Sequence, residues 1–144
     1  MKTVLALVAT VILGSTCSNK KQSDLDNTVI EYTANTRGFY QKIILANHKL
    51  SVSSERNGTE KPTGTAIADA DWKELVMAFQ TIELNDLATL KAPTKKRFHD
   101  GAAIANLKIV HQEKTYQSTS FDHGTPPKEI EKLVNKINAL VETN

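Results

Sequence analysis

Residues 28–55, TVIEYTANTRGFYQKIILANHKLSVSSE, decide the fold. Val29, Glu31 and Thr33 alternate with Ile30, Tyr32 and Ala34. Arg37-Gly38 then interrupts, Phe39 to Leu45 resumes an apolar run, and Asn47-His48 turns the chain into Lys49 to Glu55. A period of two broken by turn residues is the pattern of strands on a sheet, so this stretch predicts a three-stranded meander. Asn57-Gly58 is a strong hairpin signal, and it predicts that Thr63 to Ile67 returns as a short fourth strand. Pro62 and Gly64 confine that strand to an edge.

The period changes at Asp69-Ala70-Asp71-Trp72-Lys73-Glu74. Asp71 with Glu74 three residues later fits a capping box, and Trp72, Leu75, Val76 and Phe79 fall on one face of a helix. A shorter helical segment is expected around Asn85 to Leu90, ending before Ala92-Pro93. The Asp100-Gly101 turn leads into a strand from Ala102 to His111, and Gln112-Glu113 connects it tightly to a polar partner strand from Lys114 to Phe121. Thr125 is the expected cap of a last helix, with Pro126-Pro127 in its first turn, where missing amides cost nothing. Ile130, Leu133, Val134, Ile137, Leu140 and Val141 supply its apolar stripe. The expected fold is α+β, an antiparallel sheet of four to six strands with two amphipathic helices packed on one face, in the order β-β-β-(β)-α-β-β-α. That arrangement buries every apolar stripe at once.

Ahead of this domain, Met1-Lys2-Thr3, the apolar run Val4 to Leu13, and Gly14-Ser15-Thr16-Cys17 read as an export signal. The run is half the roughly 20 residues that a helix needs to cross a bilayer. The segment resembles a bacterial lipoprotein signal, which implies that Cys17 becomes the first mature residue and carries a diacylglyceryl group on its sulfur. Such boxes place Leu three residues before the cysteine; here Gly14 stands there, Leu13 is one further out, and Thr16 precedes Cys17. Ordinary cleavage giving a soluble periplasmic or secreted protein is the alternative. Cys17 is the sole cysteine, so an internal disulfide is excluded. The expected organisation is a signal over 1–16, a lipidated cysteine and polar tether over 17–27, and one domain over 28–144.

Eighteen Lys and Arg against sixteen Asp and Glu give a formal charge of +2, interspersed along the chain, with no footprint for nucleic acid. Lys91 with Lys95-Lys96-Arg97 reads as a solvated turn. Polar chemistry concentrates in two loops, Arg97-Phe98-His99-Asp100-Gly101 and Phe121-Asp122-His123-Gly124. If the strands from Ala102 and to Phe121 pair, the open end of their hairpin brings these loops together. Neighbouring residues on a strand point to opposite faces, so an adjacent His and Asp do not easily ligate one ion. Neither metal nor cofactor is expected. His48 and His111 read as strand or turn residues. No phosphate loop, nucleophile elbow, HExxH or CxxC occurs, and Cys17 is committed to the anchor, so a non-enzymatic role is expected. The expected binding surface comprises Arg37, Tyr40, Arg97, His99, Asp100, Phe121, Asp122 and His123, because exposed loops on a rigid sheet commonly carry recognition.

Residues 37–137 resemble small envelope lipoproteins of Gram-negative bacteria through Arg37-Gly38-Phe39-Tyr40, Ser53-Ser54-Glu55-Arg56-Asn57-Gly58, Asp71-Trp72, Leu90-Lys91-Ala92-Pro93-Thr94, Asp100-Gly101-Ala102 and Phe121-Asp122-His123-Gly124. The resemblance implies attachment to the outer membrane through lipid on Cys17 and assigns no activity. A fainter likeness, in element order and in the strand-turn-Pro-helix ending, is to emfourin-like inhibitors of metalloproteases; it carries no residue across. The expected function is a lipid-anchored envelope protein with a binding or structural role toward a protein partner. Inhibition of a secreted metalloprotease is the alternative.

Overall fold

The alternation that begins at Thr28 becomes the central strand of a seven-stranded antiparallel sheet. The computed structural model describes residues 25–59 and 64–143. The signal segment, Cys17, the tether as far as residue 24 and the first residue of the expected fourth strand lie outside the described residues. Strands β1 (Thr28–Thr36), β2 (Phe39–Ala46), β3 (Lys49–Ser53) and β4 (Thr65–Ala66) precede helix α1 (Asp69–Gln80). Two 3-10 turns (Leu84–Thr89 and Lys96–His99) lead to β5 (Ile104–His111), β6 (Lys114–Gln117), β7 (Phe121–Asp122) and helix α2 (Glu131–Glu142). The strands lie side by side in the order β4-β3-β2-β1-β5-β6, with β7 also on β5.

Register decides which residues are inside. Ile30 lies opposite Leu45 and Ile109, Tyr32 opposite Ile43 and Leu107, and Ala34 opposite Gln41 and Ala105. These share one face, and Ile30, Tyr32, Ala34, Ile43, Leu45, Ala105, Leu107 and Ile109 are all buried there. Trp72, Leu75, Val76 and Phe79 of α1 and Leu133, Val134, Ile137 and Leu140 of α2 join the same core. The opposite sheet face stays open to solvent. Glu31 lies there with Lys42 and Lys108 each 3.4 Å from its carboxylate.

Four local features depart from the sequence reading, each for an identifiable reason. The sheet has seven strands where four to six were expected, because the run from Lys114 to Phe121 breaks into β6 and β7. At the break the Ser118 amide donates to the Leu107 carbonyl (2.8 Å) while its hydroxyl accepts from the Leu107 amide (3.0 Å). A serine side chain thus replaces one rung of the ladder, the competition that short hydroxyl residues offer a backbone.

Helix α1 begins at Asp69 behind Ala68, with no side-chain cap, so Asp71 lies inside the first turn. Its carboxylate and that of Glu74 instead receive Lys136 of α2, at 2.7 and 2.5 Å. Helix α2 starts at Glu131, later than Thr125 and the two prolines suggested. Thr125 forms a bridge back to Asp122, its amide donating to that carbonyl at 2.8 Å, and the buried prolines lead into a turn closed by Ile130 N–H to Pro127 O (3.1 Å). The fourth difference is Leu25, assigned to the tether but only 2 % exposed in the core. As the one apolar residue among 18–27, it gains about 1.5–3 kcal/mol by burial, enough to draw the end of the tether onto the domain.

Two hairpin turns place pairs of non-glycine residues in the left-handed region, which Asn and His enter more readily than Gln and Glu. Asn47 and His48 (φ 51° and 59°) and Gln112 and Glu113 (φ 49° and 64°) take the paired positive values that match a primed turn to the twist of its strands. Among the described residues, no helix is long and apolar enough to cross a membrane.

Candidate binding site

The two-residue strand β7 is where the chemistry gathers. Phe121 pairs opposite Ala105 and is fully buried, fixing the strand on the core side. Asp122 points away from the Phe121 side, and His123, in the turn just after the strand with its amide on the Ala103 carbonyl (2.9 Å), returns to it.

On one side Asp122, 1 % exposed, collects the loop that precedes β5. Its carboxylate accepts from Thr94 Oγ1 (2.5 Å), the Lys96 amide (2.7 Å), the Arg97 amide (3.0 Å) and Arg97 Nη1 (3.0 Å). Burial alone would raise its pKa, but these bonds from Thr94, Arg97 and Lys96 together outweigh it and hold the carboxyl well below the usual carboxylate range. Arg97 also donates to the Thr94 carbonyl (2.8 Å), and its guanidinium lies 4.3 Å from the exposed Phe98 ring. The loop is tied to β7 by a buried ion pair, and Arg97 and Asp122 are occupied by each other. Beyond it Asp100 takes a left-handed φ of 56°, and the Gly101 amide closes the turn on Lys96 O (2.9 Å).

On the other side His123 Nδ1 meets the hydroxyl of Tyr32 at 2.7 Å. The Asn138 side chain lies beside the Tyr32 hydroxyl, and its Nδ2 donates to the Val134 carbonyl (3.1 Å). Burial pushes the Tyr32 pKa up to about 12, against the smaller opposite pull of Asn138, so the phenol keeps its proton. Burial also pushes the His123 pKa below its usual value, and the imidazole is neutral near pH 7. The Tyr32 bond assigns the tautomer. Nδ1 is the acceptor that the buried Tyr32 O–H reaches, so Tyr32 donates to it and the ring proton of the neutral His123 resides on Nε2. Among the described residues Nε2 has no hydrogen-bond partner.

The imidazole is flanked by Phe39, whose ring centroid lies 5.8 Å away, and by Tyr32 at 5.9 Å. It forms one wall of a groove of ≈ 460 Å³ between the start of β2 and the outer flank of α2, lined also by Phe39, Gln41, Asn135, Asn138 and Glu142.

The structure therefore divides the expected surface. Phe121, Asp122 and the side chain of Arg97 are buried, while His123 is half-buried at the groove. Arg37, His99 and Asp100 are exposed. Tyr40 lies opposite Asn35 on the open sheet face, away from the groove, with the Arg56 guanidinium 5.9 Å from its ring. The loops come together as expected, through Asp122, whereas Tyr40 belongs to another surface. Tyr32, Phe39, Gln41, Asn135 and Asn138 were not singled out in the sequence. The signal that could have found Phe39 and Gln41 is register: Phe39 opposite Thr36 and Gln41 opposite Ala34 share the face of Tyr32.

The remaining described histidines with close contacts serve the fold. His48 stacks on Trp72 (4.1 Å between centroids) and pairs with Asp26 at 3.0 Å; His111 Nδ1 meets Thr28 Oγ1 at 2.7 Å. Among the described residues, no three His, Cys, Asp or Glu are grouped to hold a metal. Comparison with protein-family models, curated proteins and solved structures finds no match for the chain.

Proposed function

We propose that this chain is a lipid-anchored protein of the bacterial envelope, attached through Cys17, whose domain binds a partner and performs no catalysis. The observation that carries the reading is the polarity of the fold. Leu25 and Asp26 are fastened beside the Asn47-His48 turn, and Thr28 lies beside His111, so the chain enters at one end of the sheet. The turn at Arg37-Gly38, the loop 97–101 and His123 lie at the other end of β1, nine residues along and therefore about 27 Å away at roughly 3.4 Å per step. A tether at the first end presents the second end outward. The commitment of Asp122, Arg97, His48 and His111 to contacts within the fold supports binding over chemistry, since a catalytic base or nucleophile must be free to meet its substrate.

Intact mass of the chain extracted from envelopes tests the anchor. A start at Cys17 with added acyl mass is expected; an unmodified thiol, or a start beyond residue 17, overturns it. A photo-reactive residue at position 99 tests the binding surface against one at position 114. Cross-links to an envelope component are expected from the first and not the second, and equal labelling from both ends would remove the assignment.

A further inference from the structure

We infer that the groove between Phe39 and α2 is a binding site for an uncharged saccharide, read by His123 Nε2–H and the carboxamides of Gln41, Asn135 and Asn138. The inference rests on the binding reading above and not on the anchor.

Four properties of the groove select this ligand class. Its ≈ 460 Å³ falls within the about 300–1,000 Å³ of small-ligand sites. Its polar groups are almost all neutral: a neutral imidazole and three carboxamides, with Glu142 the one ionisable group besides His123 among its lining residues. A phosphate, sulfate or carboxylate would meet no cation there and would face the Glu142 carboxylate.

The donors and acceptors are mixed. His123 offers Nε2–H, and Asn138, whose amide donates to the Val134 carbonyl, offers its carbonyl oxygen. Asn135 and Gln41 each offer both kinds of group. A sugar hydroxyl is likewise both donor and acceptor, so vicinal hydroxyls match a row of carboxamides.

The fourth property is the platform. Phe39 is 39 % exposed at the groove mouth, and the negative face of an aromatic ring suits the C–H face of a pyranose. A peptide is the less suitable occupant. Extended peptides dock through backbone ladders on a sheet edge, and this groove is built of side chains over an α-helix whose backbone bonds are internal. The polar wall is also held in place. His123 is locked by Tyr32, which is fully buried, and Asn138 is held by its bond to the Val134 carbonyl. A rigid site loses little freedom on binding.

The test is a titration of the full chain in detergent micelles with chitotriose and with cellotriose, followed by calorimetry and by the side-chain nitrogen resonances of His123. Saturable binding of at least one probe is expected, with the Nε2 resonance moving and Nδ1 nearly still. Phe39→Ala and Asn135→Ala, both at solvent-exposed positions, are each expected to weaken binding roughly tenfold, equivalent to about 1.4 kcal/mol, with melting unchanged. Failure of both sugars to bind, binding that ignores both variants, or tighter binding of a sulfated analogue would each overturn the inference. A Cys17→Ser chain is expected to bind with unchanged affinity. Loss of the anchor reading would therefore leave this result standing, and a failed titration would leave the anchor untouched.

Discussion

Tyr32→Phe removes one oxygen from the centre of the site and tests the hydrogen bond that fixes His123. The hydroxyl is fully buried and donates to His123 Nδ1 at 2.7 Å. The loss is not total, because half-buried His123 has a route to water. Removing one member of a buried pair costs about 1–3 kcal/mol, and with a partly rescued partner the expected loss is about 2 kcal/mol. At about 4 °C per kcal/mol, Tm should fall by about 8 °C, and the urea midpoint should drop with its slope unchanged. Nitrogen NMR of His123 should report a mixed tautomer, because nothing then holds Nδ1 as acceptor. A double-mutant cycle with His123→Gln should give a coupling of at least about 0.5 kcal/mol. A stability loss below about 0.5 kcal/mol together with an unchanged His123 tautomer would refute the argument.

Three other outcomes follow from contacts elsewhere. Asp122 is held below the usual carboxylate range in the fold, so the unfolded chain binds the extra proton. Its stabilisation is present above about pH 4 and lost as pH falls further. Asp122→Asn should therefore be less stable than the parent at pH 7, with the gap in urea midpoint narrowing toward pH 2. Leu25→Ala should destabilise by about 2–4 kcal/mol in chemical denaturation, although sequence composition places it in a polar tether. Replacing Gln112-Glu113 by Asn-Gly should raise stability by about 1 kcal/mol in the same assay, because it relieves left-handed strain of about 1–2 kcal/mol per residue, offset by the entropy of glycine.

The three-strand meander, the hairpin that follows the first helix and that helix itself were legible because alternation and helical periodicity each name one face, whereas the pairing of β1 with β5 was not. The edge position of the fourth strand was legible from Pro62 and Gly64. What the sequence concealed depends on pairing across distance. Asp71 looks like a cap until Lys136, 65 residues away, is seen to take its carboxylate. Ser118 looks like one more strand residue until its hydroxyl replaces a rung of the ladder. At the site, the adjacency of Asp122 and His123 predicted that they would diverge. It could not tell that one would be consumed by Arg97 and the other aimed at Tyr32. Phe39 and Asn138 carry no local motif, and only the hairpin register and the rotation of α2 bring them beside His123.

The open sheet face has a consequence for crowding. Two copies that met face to face would have to strip water from Glu31 and from the Lys42 and Lys108 ammonium groups that flank it, and desolvating such groups costs several kcal/mol per ion. Val29 and Ile104, the exposed apolar residues of that face, would gain less than this by meeting their counterparts. The Lys–Glu–Lys row thus opposes association of two copies through this face.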